Sequence, residues 1–393
     1  MDIKYVDNDK SKGIIVDWKF IFKEYKKLNC PKDVYNPSSL PIGKASYFVL
    51  LSERKTGKTT NLLLIGLLLY WHYGIVTQYI RSNENMIMNK NIKDLYSTII
   101  QYEYIEKITK ARYNSIYYHA RQWTLCKVDE NGNIVDEDNK HCVFCLSFDN
   151  NEFYKSSYNT VNGDFIIVDE IIGKRYRMNE FVELMDLLST IIRKRVTANI
   201  FLLANTIDLH SEYFLEFEIY DEIQHMQIGD KEIYRTDYGT NIYVELIKTN
   251  QDSLEKALYN ARYFGFKNPK INSITGSGWA VNEYPHIEKG YTLIESGIYI
   301  EYHNRLLALD IVNYENIGVC INCHKASRTY EDSIIYSLAE PKDKRYRYYM
   351  GNGDNLDKFI VTLIQNHRIK FQNNTCGTMF YNHFNMKEAK RRG

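Results

Sequence analysis

What this chain lacks narrows the field first. Net charge is nearly absent, because 50 Lys and Arg stand against 49 Asp and Glu and leave +1 at pH 7. No global positive field recruits nucleic acid, so any such contact must come from a local, salt-sensitive patch. Long apolar runs are missing too. The longest, residues 62–71, is interrupted by Gly66 and falls short of the ~20 residues that cross a bilayer, so it reads as a buried helix. Residues 1–12 contain no apolar signal core, so a cytoplasmic protein is expected. Cysteine is sparse: seven in 393 residues fit reduced thiols better than a disulfide framework. Glycine (20) and proline (6) are scarce beside 34 tyrosines, a bias that an A+T-rich coding sequence explains and that points to no function.

What remains is an ordinary soluble composition, 44% hydrophobic and 25% charged, in a chain long enough for two or three compact units. Short apolar strands alternate with helical stretches from Tyr47 to about Tyr220, the pattern of a mainly parallel sheet covered on both faces. Strands are expected at 47–51, 75–80, 143–148, 165–168 and 200–204. Between the last two, Phe181, Leu184, Met185, Leu188, Ile191 and Ile192 recur at helical spacing, with Glu180, Glu183 and Asp186 off the stripe. Asn131-Gly132 is a hairpin turn signal. Beyond Tyr220 a polar stretch, with a helix expected at 252–263 and Gly276-Ser277-Gly278 after it, reads as a linker or lid. Segments 297–302, 306–312 and 317–321 then look like an antiparallel meander, followed by a basic tail, 387–392, expected to fray. The expected boundaries are 1–222, 223–287 and 288–393. No repeat or low-complexity segment is visible.

Ser52-Glu53-Arg54-Lys55-Thr56-Gly57-Lys58-Thr59 follows a strand and leads into a helix at Thr60, the context a phosphate-binding P-loop requires. Loop N–H groups and the helix N-terminus cradle phosphates in such a motif; Lys58 neutralises the β and γ oxygens and Thr59 ligates Mg²⁺. Ser52 stands where the motif has its first glycine, which is strain-free only if φ there is negative. Asp164-Phe165-Ile166-Ile167-Val168-Asp169-Glu170 is an apolar strand ending in two carboxylates. Asp169 is expected to hold Mg²⁺ through water and Glu170 to activate the attacking water, which marks an ATP hydrolase rather than a kinase. Asn205, after the last strand, is placed to sense the γ-phosphate or simply to turn the chain. Arg193 and Arg195 close the amphipathic helix, either complementing its dipole or reaching a neighbouring subunit's nucleotide.

Other features are weaker. Cys142-x-x-Cys145 and Cys320-x-x-Cys323-His324 fall in expected strands, where i and i+3 side chains face opposite ways, so zinc is not expected. Glu301 and Asp310 lie in the meander without the further carboxylates a two-metal nuclease needs. Lys90, Lys93, Lys107 and Lys110 are either a phosphate-contacting surface or ordinary solvated positions.

In this order the motifs resemble the DNA-packaging ATPases of small, protein-primed, short-tailed bacteriophages, relatives of the large terminase subunit. The resemblance rests on the Arg-bearing P-loop, Tyr79-Ile80-Arg81, Lys155 ahead of Asp169-Glu170, the Arg193 and Arg195 pair, Leu203-Ala204-Asn205 and Tyr213-Phe214-Leu215. It covers residues 47–217. It implies an α/β chain with a RecA-like P-loop ATPase domain of the ASCE type, a small linker, and an α+β RNase H-like C-terminal domain whose nuclease is vestigial. It also implies ATP and Mg²⁺ as ligands, and a homopentameric ring that drives double-stranded DNA through the portal into a procapsid in the infected host's cytoplasm. Arg193 or Arg195 would be the trans-acting finger and Lys155 a second trans-acting or sensor residue. Two rivals stand beside this reading: a terminase with an active nuclease, and a nucleotide-binding scaffold without turnover.

Overall fold

The structure, a computed structural model, describes residues 3–52, 56–150, 163–172, 179–204, 211–248, 284–302, 305–347 and 355–392. The chain divides into two compact units. One comprises Met1–Arg175, Asn179–Ile207 and Glu216–Ala280; the other comprises Tyr176–Met178, Asp208–Leu215 and Val281–Gly393.

The first unit is built on a ten-stranded sheet: β1 (Tyr47–Leu51), β2 (Thr77–Arg81), β3 (Ser115–His119), β4 (Gln122–Val128), β5 (Ile134–Glu137), β6 (Val143–Ser147), β7 (Phe165–Asp169), β8 (Asn199–Ala204), β9 (Lys231–Arg235) and β10 (Asn241–Leu246). Its order is β3-β4-β6-β2-β7-β8-β1-β10-β9, with β5 on β4. The six strands from β6 to β10 in that order are parallel. Antiparallel strands flank them on both sides. Burial on both faces explains the unbroken apolar runs: every residue of β7 and β8 is buried. All five expected strands are present within two residues of their expected ends. The hairpin at Asn131-Gly132 joins β4 to β5, with Gly132 at φ 82° and the Asp129 carboxylate accepting from the N–H groups of Asn131 and Asn133.

Three longer helices serve this sheet: α1 (Trp18–Lys27), α2 (Lys58–Tyr73) and α3 (Glu180–Ile192). Helix α2 has no solvent face over its middle, where Leu62 through Leu69 are all buried. Each leucine contributes roughly 1.5–3 kcal/mol by burial. Gly66 sets how closely the helix approaches the sheet. A Cβ there would stand 2.3 Å from Thr77 Oγ1 and 3.5 Å from the Phe165 ring. Helix α3 buries Leu184, Leu187, Leu188 and Ile191, so its apolar stripe includes Leu187; Glu180, expected off the stripe, is buried as well.

Strands β9 and β10 fall inside the segment expected to be a linker or lid. β10 pairs in parallel with β1 and β9 closes that side of the sheet, so this stretch extends the first unit to at least Leu246. An edge strand and a polar linker share local composition; only pairing with β1, some 200 residues earlier, separates them. Residues 249–283 of that segment, including 252–263 and Gly276-Ser277-Gly278, lie outside the described residues.

The second unit holds β11 (Tyr291–Glu295), β12 (Ile298–Tyr302), β13 (Arg305–Tyr314), β14 (Gly318–Ala326), β15 (Ile334–Tyr336), β16 (Tyr346–Arg347) and β17 (Ile369–Phe371). The expected meander is β12-β13-β14. β15 then pairs in parallel with β12, β16 with β15, and β17 with β14, while β11 lies on β13. Helices α4 (Asn355–Gln365) and α5 (Asn374–Arg392) supply Ile360, Leu363 and Phe380 to a core with Ile300, Leu307, Leu309 and Phe371. The basic tail expected to fray continues α5 through Arg392. Among the described residues no helix is long and apolar enough to cross a membrane.

Candidate active site

Parallel strands bring their C-terminal ends to one edge of the sheet, where ligands of open α/β sheets bind. β8 separates β1 from β7, so the loop after β1 and the carboxylates after β7 flank the end of that strand. Ser52 follows β1, fully buried, with its N–H on the Ala204 carbonyl at 3.3 Å. Its φ is not positive, so serine fits the turn without strain. The Ser52 hydroxyl lies 2.7 Å from Thr56 Oγ1 and accepts from the Lys58 ammonium. Thr56 Oγ1 accepts from the same ammonium at 3.4 Å. Ser52 therefore adds an anchor for Lys58 that glycine lacks.

Gly57 turns the chain into α2 at φ 76°, and its Cβ position is crowded by Val34 at 3.0 Å. Lys58 opens α2 and is only 3% exposed. Burial brings its ammonium down from the ordinary 10.5 to about 8, partly offset by the Asp169 carboxylate. A bound polyphosphate favours the charged form. Above pH 8 nucleotide binding should therefore take up a proton and weaken as pH rises. Calorimetry near pH 8.5 in two buffers of different ionisation enthalpy reads that uptake directly; equal apparent enthalpies would contradict it.

Asp169 ends β7 and is a hub. Its Oδ2 accepts from Tyr79 OH at 2.7 Å, Arg81 Nη1 at 3.0 Å and Thr59 Oγ1 at 3.3 Å. Glu170 follows with φ 58°, a left-handed backbone that costs a non-glycine residue roughly 1–2 kcal/mol. Its Oε2 takes Arg81 Nη2 at 2.8 Å. Tyr79 and Arg81 are two residues apart on β2, so both project from the same face of the sheet, and β7, which carries Asp169, is the neighbouring strand. Burial and the Asp169 charge push the Tyr79 hydroxyl well up, which keeps it a proton donor. These groups line a cavity of about 400 Å³ with Thr56, Gly57, Thr60 and Leu95.

A second cavity of about 410 Å³ adjoins the loop at Thr56, lined by Val34, Tyr35, Asn36, Lys231 and Glu245 among others. Tyr35 N–H donates to the Thr56 carbonyl at 2.8 Å, and Glu245 gathers Tyr35, Tyr243 and Lys231. Sequence reasoning missed it, because Tyr35 and Glu245 are 210 residues apart.

The two arginines after α3 differ sharply. The Arg195 side chain is only 7% exposed, with Nε 3.6 Å from Asp164 Oδ1 and Nη1 donating to the Ile191 carbonyl at 3.1 Å. Asp164 precedes β7, at the edge of the sheet opposite Asp169, about 16 Å away along an extended strand. Arg193 is exposed, with Nε on the Thr190 carbonyl. Glu53, Arg54, Lys55, Lys155 and Asn205 lie outside the described residues. Cys142, Cys145, Cys320 and Cys323 are buried free thiols.

Fold and site together define a P-loop nucleotide-binding α/β unit joined to a second, mixed-sheet unit. The chain matches no family model and no curated protein. Among solved structures it is similar to the Phi-28 gp11 DNA packaging motor, at 16% identity over 90% of this chain and 97% of that one, TM-score 0.58. It is likewise similar to the bacteriophage Phi-29 viral genome packaging motor assembly, at 15% identity over 90% and 99%, TM-score 0.59. The fold of these motor proteins thus extends over nearly the whole chain.

Proposed function

We propose that this protein is an ATP-hydrolysing subunit of a phage motor that drives double-stranded DNA through a portal into a procapsid. The observation that carries the reading is the convergence of Lys58, Thr59, Asp169 and Glu170 at one sheet edge, in a fold shared with two packaging motors over 90% of the chain. Thr59 Oγ1 and Asp169 Oδ2, hard oxygen groups 3.3 Å apart, fit Mg²⁺, which when bound neutralises phosphate charge. Lys58 binds the β and γ oxygens, helix α2 directs its N-terminal N–H groups at them, and Glu170 orients and deprotonates water for in-line attack.

Subunits form a homo-oligomeric ring, a pentamer in our reading, and Arg193 is the arginine offered to the neighbour. Its exposure favours it over Arg195, whose guanidinium is engaged with buried Asp164. Asn205 keeps the γ-phosphate-sensing role read from its place after the last strand, and Lys155 the trans-acting or sensor role that the family resemblance implies. Near-zero net charge suits a translocase, which must release the DNA backbone in every cycle.

The second unit is read as RNase H-like with its nuclease lost. The order β14-β13-β12-β15-β16, a meander whose first strand continues into two parallel strands, supports that fold. Glu301 on β12 meets Ser337 Oγ at 3.0 Å and Lys342 Nζ at 2.5 Å instead of further carboxylates. Asp310 pairs with His324 at 2.9 Å, a bond that raises the imidazole's affinity for its proton. Among the described residues no group of three acidic, His or Cys side chains could hold a metal ion.

The test is packaging itself. Portal-bearing procapsids, ATP and this protein should render added DNA resistant to external nuclease. Arg193→Ala should bind ATP normally yet lose DNA-stimulated turnover, whereas Arg195→Ala should act through stability. Unprotected DNA with active proheads would refute the motor; an inert Arg193→Ala substitution would refute the finger.

A further inference from the structure

Residues 4–16 precede α1 and take no part in the phosphate site, yet they close into an arm. Tyr5 and Ile14 make an antiparallel bridge, Val6 N–H donates to the Gly13 carbonyl at 3.1 Å, and Ile15 N–H donates to the Lys4 carbonyl at 2.9 Å. The root of the arm is tied to helix α2. Asp17 N–H donates to the Tyr73 hydroxyl at 3.0 Å, and α1, which starts at the next residue, reaches the other end of that helix, where the Tyr25 hydroxyl donates to Asn61 Oδ1 at 2.7 Å.

The tip of the arm lies against the loop that follows α3. Val196 N–H donates to the Lys12 carbonyl at 3.0 Å. Gly13 passes so close that a Cβ there would stand 1.8 Å from Thr197 Oγ1 and 2.7 Å from Asp164 Oδ1, and its φ of 107° disfavours a side chain as well. Thr197 Oγ1 in turn donates to Asp164 Oδ1 at 2.7 Å, and Asn199 N–H donates to the Asp164 carbonyl at 2.9 Å. Burial raises the affinity of the Asp164 carboxyl for its proton, and Thr197, Arg195 and the Ile14 N–H each work against that. Arm, loop and the start of β7 thus meet at one point. Arg193 opens the loop held there. It sits at φ 50° and ψ −110°, a backbone that a non-glycine residue keeps only where its surroundings over-determine it. On its helix side the N–H donates to the Ser189 carbonyl at 3.0 Å; on its loop side the holds at Arg195, Val196 and Thr197 include Asp164 and the arm.

We propose that the N-terminal arm positions Arg193, with Gly13 and Thr197 as its points of contact, and so fixes the direction in which that arginine leaves the end of α3. The inference rests on the reading above in which Arg193 serves a neighbouring subunit's nucleotide. Helix α2 carries the subunit's own phosphate loop at one end and the root of the arm at the other, so the arm sets Arg193 relative to the subunit's own nucleotide site. Misplacing a group that meets the reacting phosphate by about 1 Å costs up to about 10²-fold in rate, so small movements of the arm are felt next door.

The experiment is complementation between subunits, read as DNA-stimulated ATP turnover on procapsids with the full chain. Gly13→Val drives a side chain into Thr197 and Asp164 and should lower turnover about tenfold or more, while ATP affinity stays within a few-fold of wild type. Thr197→Val, which removes only the hydroxyl's hydrogen bond, should show the same pattern more mildly, and it carries the comparison alone if the larger change unfolds the chain; Thr197→Ser should stay near wild type. Mixed with Glu170→Gln subunits, whose arginine is intact and whose own site is not, either valine variant should regain turnover above the mean of the two alone, because a sound nucleotide site then meets a sound arginine. Arg193→Ala mixed with Glu170→Gln sets the size of that regain. Wild-type turnover in both valine variants, or no regain where the Arg193→Ala mixture regains, would overturn the arm's role. No regain in the Arg193→Ala mixture would instead defeat the trans-acting arginine itself, and the two failures are distinguishable.

Discussion

On the proposed ATPase reading, replacing Lys58 by alanine should lower DNA-stimulated ATP turnover about 10²–10³-fold or more, the scale for losing one preorganised charge donor at a transition state. The ammonium is already positioned: the Ser52 and Thr56 hydroxyls hold it at the mouth of α2 before any nucleotide arrives. The loss should not come from unfolding. Burial disfavours the charged lysine in the folded state, and its removal leaves Ser52 and Thr56 still paired at 2.7 Å. Scanning calorimetry should therefore find a thermal midpoint no lower than wild type, beside a turnover assay near background. Wild-type turnover in Lys58→Ala would remove the P-loop from the mechanism.

Glu170→Gln should separate binding from chemistry. Glutamine has the shape of glutamate and its Oε1 still accepts from Arg81, so the triphosphate binds at least as tightly. It cannot take a proton from water, and general-base loss costs roughly 10²–10⁴-fold in the chemical step. Single-turnover hydrolysis measures that step, and equilibrium nucleotide binding measures the rest. A variant hydrolysing ATP at the wild-type rate would favour a scaffold whose carboxylates only bind.

The candidate nucleotide site was legible where its parts are contiguous in sequence. A strand, a glycine-lysine-threonine turn and a helix announce Lys58; an apolar run ending in two acids announces Asp169 and Glu170. Arg81 was visible as part of a motif, but its partner was not, because that requires β2 beside β7 in the sheet order. Arg193 and Arg195 could not be told apart by spacing. Burial distinguishes them, since one faces solvent and the other meets Asp164. β9 and β10 looked like part of a linker for the same reason that the cavity beside Tyr35 went unseen: both depend on pairing across about 200 residues. The meander survived as a local pattern, whereas the parallel strands β15 and β16 are too short, three residues and two, for any periodicity to register.

Helix α2 has one consequence beyond holding the loop. It runs 16 residues, about 24 Å, from Lys58 to Tyr73, and its middle is walled in on every side. A helix normally bends by letting its wet carbonyls tilt outward, and this one has no wet side there. Gly66 against Thr77 leaves no slack toward the sheet either. A push delivered at the phosphate end cannot be dissipated by flexing along the way. It would reach Tyr73 and Gly74 as displacement of a stiff rod, which on the proposed motor reading is the behaviour that force generation demands.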